Sequence, residues 1–576
     1  MPFNKEPSVR IKGNHKCLGN WDQIGSELIN QVKSNTSAII AIECYQGVFI
    51  DDVINRLSKS ISFNHIIRSS SVMKSIEEIE KMTFPDVTDD RVFGYLSRLN
   101  IDDFFNQKEL QKQKASVLNL SGINLIIGEG ASLLCEEPDV IVYADMARWE
   151  IQQRMRSNKV QNIGLRNHSE KTELQYKRAF FVDWRVCDRL KKKLRSKIDF
   201  WLDTNGAQPK MITNASYEEG LRQALIQPFS LVPFFDPGPW GGQWMRDKFE
   251  LDPEPENFAW CFNCVPEENS LLLRFGNVTF ETPSINLVFF HPKELMGEAV
   301  YSRFGDEFPI RFDFLDTMDG GNLSLQVHPL TEYIQEKFGM HYTQDESYYM
   351  LDAKPGAKVY LGFKDGVDKK QMFSELRESN HEKPFEADNY VASWEAKKHD
   401  HFLIPAGTIH CSGNDGMVLE ISATPYIFTF KLWDWGRLGI DGKPRPINVD
   451  HGENVLQMDR TTDWVEKELV NNITEVKIGD GWREERTGLH ETEFIETRRH
   501  WFSKPVTHTT HSTVNVLNLV EGDQAIVESP TGDFEPFVVN YTETFVVPAN
   551  IVSYTIRPYG SSEGKEIATL KAYVRT

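Results

Sequence analysis

The chain of 576 residues has few cysteines, no long apolar run and an excess of negative charge. Its 7 scattered cysteines are too few for a disulfide framework. No apolar run reaches the roughly 18–20 residues of a membrane helix, and the polar start lacks the apolar core of a signal peptide. A net charge of -20 disfavours binding to nucleic-acid phosphates. We therefore expect a cytoplasmic protein with neither a nucleic-acid nor a membrane partner, whose oligomeric state the sequence leaves open.

The length suffices for about three domains. In residues 1–205, short apolar strands such as Ile123–Ile127 and Val140–Tyr143 alternate with helix-like stretches such as Arg148–Arg156. Strands that alternate with helices are typical of a parallel sheet covered by helices. This pattern predicts an α/β domain over residues 1–205.

The pattern changes from about residue 212. Short runs rich in Val, Ile, Phe, Tyr and Trp, broken by Gly and Pro, predict an all-β sandwich or barrel over 212–470. The patch Leu330–Phe338 interrupts them and predicts a small helical insertion. Strand-like runs resume after an acidic stretch and predict a C-terminal β domain over 475–576.

The most specific chemical pattern is a row of polar side chains in a predicted strand. Alternate side chains of a strand share a face, so Ser324, Gln326 and His328 should point the same way. Alone, this pattern favours a solvent-facing strand edge. Glu346, at the start of an aromatic strand, and His410, after a Pro-Ala-Gly turn, extend it to a Gln, His, Glu, His set. Mixed oxygen and nitrogen donors of this kind suit zinc or another first-row divalent metal.

These motifs stand in an informative order. Gln-x-His-Pro, Glu with aromatics and Leu-Asp-Ala-Lys-Pro-Gly, then Pro-Ala-Gly-Thr-x-His resemble the class I mannose-6-phosphate isomerases of the cupin superfamily. The resemblance extends over about 225–460, from Pro239–Gly242 to Lys431–Arg437. It implies a cupin β-sandwich with a second cupin-like domain at the C-terminus. It also implies a metal-dependent interconversion of mannose 6-phosphate and fructose 6-phosphate through an enediol.

The resemblance assigns roles residue by residue. It implies that one divalent metal, zinc in the first place, is held by Gln326, His328, Glu346 and His410. It implies proton transfer by Glu420, with Lys431 as a second catalytic group. The substrate, a small sugar phosphate, would contact Trp240, Ser324, Lys354 and Arg437. No cofactor other than the metal is implied.

Three family basic positions are altered. Asp313 and Gln344 stand where the family has lysines, and Lys431 replaces an arginine whose planar fork binds oxyanions. A phosphosugar carries about two negative charges that the pocket must meet. Two alternatives therefore stay open: a non-catalytic sugar or sugar-phosphate binding or regulatory protein, and an isomerase of a different sugar, phosphorylated or not.

Residues 1–205 carry a different resemblance. Ala38–Asp52, Leu125–Gly130 and Asp139–Arg156 resemble nucleoside kinases of the uridine kinase type, in which a Gly-rich loop with Lys and Ser/Thr holds phosphates. Here Gly47 alone of the loop's key residues is present, and Asp51 adds a negative charge. We therefore predict a P-loop-kinase-like domain that has lost nucleotide binding and has a structural or regulatory role.

Overall fold

The computed structural model describes residues 3–33, 37–380, 382–423, 428–438, 445–491 and 493–576. Within these residues the α-helices are α1 (Trp21–Val32), α2 (Ile50–Leu57), α3 (Ile76–Val87), α4 (Gln107–Val117), α5 (Arg148–Arg156), α6 (Thr172–Arg178), α7 (Trp184–Leu194), α8 (Asn214–Ala224), α9 (Trp244–Phe249), α10 (Ile285–Phe290), α11 (Pro292–Met296), α12 (Glu298–Phe304), α13 (Thr331–Phe338), α14 (Lys369–Glu378), α15 (Val449–Val455) and α16 (Thr462–Glu468). None of these helices has the length and apolar character needed to cross a membrane.

The strands of the described residues are β1 (Ser8–Ile11), β2 (Cys17–Leu18), β3 (Ser37–Cys44), β4 (His65–Arg68), β5 (Gly122–Gly128), β6 (Val140–Asp145), β7 (Phe200–Asp203), β8 (Lys210–Thr213), β9 (Phe234–Asp236), β10 (Trp260–Cys264), β11 (Ser270–Phe275), β12 (Val278–Pro283), β13 (Arg311–Asp316), β14 (Leu325–Val327), β15 (Asp345–Ala353), β16 (Lys358–Phe363), β17 (Val391–Glu395), β18 (His401–Ile404), β19 (His410–Ser412), β20 (Gly416–Ala423), β21 (Phe430–Trp433), β22 (Thr474–Gly479), β23 (Trp482–Arg486), β24 (Ile495–Phe502), β25 (Val506–Thr509), β26 (Asn515–Glu521), β27 (Gln524–Glu528), β28 (Phe537–Asn540), β29 (Thr544–Val547), β30 (Ser553–Pro558) and β31 (Ile567–Val574). The fold is multidomain and consists mostly of β-sheets.

The chain divides into two compact units. The α/β unit comprises Ser8–Gln223 and Ser270–Phe290, and the β unit comprises Met1–Pro7, Ala224–Asn269 and His291–Thr576. A segment inside the predicted β region, which contains β11, β12 and α10, thus belongs to the α/β unit. The division into 1–205, 212–470 and 475–576 stays a prediction.

The α/β unit is built on a seven-stranded sheet in the order β2-β8-β7-β6-β3-β5-β4. Its strands from β4 to β7 run parallel, and β8 and β2 extend it in antiparallel fashion. The central strand β3 is buried except at its first residue, and its residues are apolar apart from Ser37 and the buried Glu43, as expected where helices cover both faces of a sheet. The alternating pattern therefore predicted the α/β class of this region correctly, whereas its kinase-like assignment stays a prediction.

The loop between β3 and α2 uses its polar groups within the unit. Gly47 adopts φ +98° at the turn, and its carbonyl accepts a hydrogen bond from Arg154 Nη1 at 2.8 Å. The Gln46 amide accepts from Trp184 Nε1 and donates to a backbone carbonyl. Asp51 forms an ion pair with Arg68. The polar groups of this loop thus form their hydrogen bonds and ion pairs with other parts of the α/β unit.

Buried ion pairs lie at the carboxyl ends of the parallel strands. Arg148 Nη2 lies 2.6 Å from Asp188, which also accepts a hydrogen bond from the Tyr45 hydroxyl at 2.9 Å. Lys191 Nζ lies 2.8 Å from Asp145 at the end of β6. Such groups are tolerated inside a protein only when each charge is paired.

The β unit contains two β-sandwiches. In the first, a six-stranded sheet β18-β15-β20-β13-β10-β9 (the front sheet) faces a five-stranded sheet β17-β16-β19-β14-β21 (the back sheet). In the second, a six-stranded sheet β22-β23-β24-β31-β26-β29 packs on a four-stranded sheet β25-β30-β27-β28 around a core that includes Phe502, Leu519 and Ile556. The predicted β-sheets of this region are confirmed, and α13 lies at the predicted helical insertion. The prediction of an all-β region was wrong, because α9, α11, α12, α14, α15 and α16 lie between its strands. The cupin assignment stays a prediction.

The buried pair in the α/β unit gives a first prediction. Because Arg148→Met leaves the buried carboxylate of Asp188 without its nearest cation, we expect the free energy of unfolding to fall by about 3 kcal/mol. Hydrogen exchange of the β3 and β6 amides in the full chain measures this loss. Arg56→Met is the matched control, because Arg56 pairs with Asp52 at the surface and should change stability by less than about 0.5 kcal/mol. Equal effects of the two substitutions would contradict the assignment.

Candidate metal centre

Three of the four predicted metal ligands meet inside the first sandwich. His328 Nε2 and His410 Nε2 each lie 3.0 Å from the Glu346 carboxylate, one on each oxygen. All three side chains are fully buried, and their ligand atoms lie within 4.8 Å of one another. Gln326 joins them, since its amide nitrogen lies 3.1 Å from His410 Nε2. The structure therefore brings all four predicted ligands together.

Strand register explains how distant segments meet. Gln326 on β14 is directly opposite His410 on β19 and Lys431 on β21, which places the three in one row of the back sheet. β14 covers only Leu325–Val327, so His328 follows its end. Glu346 begins the front-sheet strand β15 and reaches the two histidines from the facing sheet.

Backbone carbonyls fix both imidazole rings. His328 Nδ1 donates to the carbonyl of Phe428, and His410 Nδ1 donates to the carbonyl of Thr408, each at 2.8 Å. With the ring proton on Nδ1, each Nε2 presents its lone pair to the other ligands. His328 Nε2 and Glu346 Oε1 are buried without a hydrogen-bond partner in the described part of the chain. Donor chemistry and unpartnered atoms together fit one divalent metal.

Gln344 positions the acidic ligand. Its amide nitrogen donates to Glu346 Oε2 at 2.8 Å, and its amide oxygen accepts from the Phe428 backbone at 3.0 Å. Burial raises the pKa of Glu346, but His328 and His410 outweigh that effect and hold this pKa well below its usual value. The sequence marked Gln344 only as a lost lysine, and the structure gives it a hydrogen-bonding role.

A second row of buried polar residues lies on the inner side of the front sheet. Asp313 on β13 and Tyr348 on β15 flank Glu420 on β20, and all three are directly opposite in the strand register. Burial, followed by the charges of Glu346 and Asp313, raises the pKa of Glu420 well above its usual value. Arg311, whose Nε lies 3.3 Å from Asp313, neutralises the row in part. Glu420 is therefore a carboxyl group that releases its proton less readily than an ordinary glutamic acid.

Lys431 approaches the metal ligands from the back sheet. It is half-buried, and burial together with Arg445 lowers its pKa to about 8. Within the described residues no carboxylate pairs with its ammonium group. Arg437 and Arg445 converge nearby on the Asp434 carboxylate, with distances of 3.0 and 2.6 Å. The sequence did not single out Arg445, because it lies outside the quoted motifs and its partner is eleven residues away.

The remaining predicted substrate residues are Ser324, Trp240 and Lys354, and the structure places each in a different environment. Ser324 Oγ donates to Asp434 at 2.8 Å, so it supports the arginine cluster. Trp240 is buried and packs edge-to-face on Trp260 with ring centroids 4.7 Å apart. Lys354 follows the far end of β15, roughly 25 Å from Glu346 at about 3.3 Å per residue. There it pairs with Asp319 at the surface, so the structure does not bring Lys354 to the metal ligands.

Known proteins resemble two parts of the chain. Residues 20–226 match a family model described as Domain of unknown function (DUF8485). The chain is 23% identical over 233 residues to mannose-6-phosphate isomerase ManA of Bacillus subtilis, covering 40% of this chain and 69% of that protein. It is 26% identical over 221 residues to the mannose-6-phosphate isomerase of Streptococcus mutans, covering 38% and 64% respectively.

A solved structure of mannose 6-phosphate isomerase from Bacillus subtilis aligns with a TM-score of 0.49 and 19% identity, covering 60% of this chain and 99% of that chain. In sequence, the chain is similar to mannose-6-phosphate isomerases over about 40% of its length. The family resemblance is confirmed over that part. The resemblance of residues 1–205 to nucleoside kinases stays a prediction, because the family matched there has no described function.

The role of Gln344 is testable through metal affinity. Because Gln344→Ala removes the group that orients Glu346, we expect zinc affinity to fall 10- to 100-fold while the fold is retained. Competition with a chromophoric chelator measures the affinity. Gln371→Ala is the control, since the exposed Gln371 side chain donates to Glu375 on α14 and its loss should leave affinity unchanged. Unchanged affinity in Gln344→Ala would remove Gln344 from the metal centre.

Proposed function

We propose that this protein is a metal-dependent aldose–ketose isomerase that interconverts mannose 6-phosphate and fructose 6-phosphate. One observation carries the proposal: a buried His328–Glu346–His410 donor set has Glu420 on the same inner surface and Lys431 beside it. The similarity to mannose-6-phosphate isomerases supports the same reaction. The reaction needs a group that moves a proton between adjacent carbons and an environment that tolerates the negative charge of an enediol.

The metal ligands would be His328, Glu346, His410 and the amide oxygen of Gln326. When bound, a divalent metal polarises the sugar oxygens and stabilises the negative charge that develops on them. The chain itself supplies the proton transfer. Glu420 would take the proton from one carbon and return it to the neighbouring carbon, and a raised pKa makes its carboxylate a stronger base.

The phosphate group requires cationic partners. Lys431 is directly opposite Gln326 in the strand register, and Asp434, just after the same strand, orients Arg437 and Arg445. A guanidinium held by a buried carboxylate keeps its remaining donors available for an oxyanion. These groups would compensate for the family lysines that Asp313 and Gln344 replace.

A second candidate is an isomerase of an unphosphorylated sugar. It is favoured by Asp313, whose carboxylate lies beside Glu420 and is already paired with Arg311. Carboxylates accept hydrogen bonds from sugar hydroxyls but repel a phosphate. The two candidates therefore differ in the charge of the substrate that the centre accepts.

The first test measures isomerisation of mannose 6-phosphate by purified protein after metal removal and after return of zinc, with mannose in parallel. We expect zinc-dependent turnover of the phosphosugar. Glu420→Gln should lower kcat by 10²- to 10⁴-fold at unchanged zinc content, because general acid–base catalysis contributes about that factor.

Glu395→Gln, on the edge strand β17, is the control and should keep full activity. Turnover of mannose alone would favour the second candidate. Zinc binding without turnover of either sugar would leave a binding protein, and near-normal activity of Glu420→Gln would remove Glu420 from proton transfer.

Lys431 gives a pH-dependent prediction. Because its pKa is lowered to about 8, the ammonium is present below pH 8 and is lost as the pH rises through that value. We expect KM for mannose 6-phosphate to rise above pH 8 in the native protein. In Lys431→Arg this rise should disappear, since a guanidinium stays charged. Lys354→Met is the control and should leave KM unchanged. An identical pH profile in Lys431→Arg would show that Lys431 does not bind the phosphate.

A further inference from the structure

The second sandwich of the β unit contains a buried polar cluster remote in sequence from the metal centre. His500 on β24, His508 on β25, and Thr569 and Lys571 on β31 are each at most 5% exposed. This cluster, the basic cluster, lies on the inner faces of the two sheets, where most neighbouring positions are apolar. Buried polar groups in an apolar core need partners.

Strand register places these four side chains together. His500 is directly opposite Thr569 in the pairing of β24 with β31, and Lys571 follows two residues later on the same face. His508 comes from the four-stranded sheet, where its ring stacks on Tyr554 with centroids 5.0 Å apart. The rings of His500 and His508 meet edge-to-face with centroids 4.4 Å apart. The cluster thus joins both sheets.

The polar atoms of the basic cluster are largely without partners. His500 Nδ1, His508 Nε2 and Thr569 Oγ1 are buried and form no hydrogen bond within the described residues. Lys571 has no ion pair or hydrogen bond to any described residue. Arg498, its neighbour across the strand pair, is paired with Glu484 at 3.3 Å and with Glu496. Lys571 Nζ lies over the Tyr573 ring, 5.5 Å from its centroid, and no carboxylate of the described residues is within ion-pair distance of it.

We propose that the basic cluster is a binding site for a small oxyanion such as phosphate. Lys571 would supply the opposite charge, and the hydroxyl of Thr569 and the ring nitrogens of the two histidines would donate hydrogen bonds. A metal ion is disfavoured, because Lys571 would repel it. The His328–Glu346–His410 group is also the one metal-competent cluster among the described residues. An anion would remove the cost of a buried, unpaired cation.

Glu484 and Glu496 are the opposing charges in this region. Glu484 Oε1 lies 3.5 Å from His500 Nε2, so it occupies that side of the ring and leaves Nδ1 to face the site. Glu496 is engaged by Arg498, by the Tyr573 hydroxyl at 3.0 Å and by Arg575 at 3.1 Å. Both carboxylates thus already form ion pairs or hydrogen bonds with side chains other than Lys571. Burial and the neighbouring cations hold the pKa of His508 well below its usual value, so binding an anion should draw a proton onto the cluster.

The test is calorimetric titration of the full, metal-free chain with sodium phosphate, with sodium chloride at matched ionic strength as the reference. We expect binding whose enthalpy changes with the ionisation enthalpy of the buffer, because protons are taken up. Lys571→Met should weaken phosphate binding at least 10-fold, and Lys571→Arg should retain it. Lys504→Met is the control, since Lys504 pairs with Asp480 at the surface, and it should bind phosphate as the native protein does.

Melting temperatures measured with and without phosphate separate a loss of phosphate binding from a general loss of stability. Without phosphate, Lys571→Met should melt at the same temperature as the native protein or higher, because a buried unpaired cation has been removed. With phosphate, the native protein should gain stability and Lys571→Met should not. His508→Gln, which keeps a donor, should retain more of this gain than His508→Phe. No phosphate-dependent gain in the native protein, or an equal gain in Lys571→Met, would overturn the proposal.

Discussion

The first sandwich depends on how it buries three carboxylates on the inner face of its front sheet. Glu346, Glu420 and Asp313 are each less than a tenth exposed, and an uncompensated buried carboxylate costs several kcal/mol. Two imidazoles compensate Glu346, and Arg311 compensates Asp313. Glu420 has no cation of its own, which is why burial and its two acidic neighbours raise its pKa. The same imbalance that makes the centre suited to a divalent metal also makes Glu420 suited to proton transfer.

The metal ligands could be predicted from the sequence because strand geometry is local. Alternation in Gln326-Val327-His328 places the two polar side chains on one side of the chain, and turns before His410 end the preceding strand. The α/β class of the first region followed from short apolar runs such as Ile123–Ile127 and Val140–Tyr143, which lie in β5 and β6. Each of these patterns is set by residues within one or two elements.

Long-range register accounts for what the sequence did not predict. Lys354 and Glu346 belong to the same sequence motif, but Glu346 begins β15 and Lys354 follows its opposite end. Arg445 reaches Asp434 only because the chain returns to the end of β21. The segment Ser270–Phe290 joins the α/β unit because β11 pairs in parallel with β1, more than 250 residues earlier in the chain. No local pattern distinguishes such partners.

Each sandwich of the β unit has a row of buried polar side chains across one sheet, but the charges in the two rows differ. In the first, the row across the back sheet carries His410, Gln326 and Lys431, and a carboxylate approaches from the facing sheet. In the second, the row carries Glu484, His500 and Thr569, and an imidazole approaches from the facing sheet. The side chain that approaches from the facing sheet determines whether a cation or an anion would balance the cluster. Where it is Glu346 a cation would complete the centre, and where it is His508, with Lys571 beside it, an anion would do so.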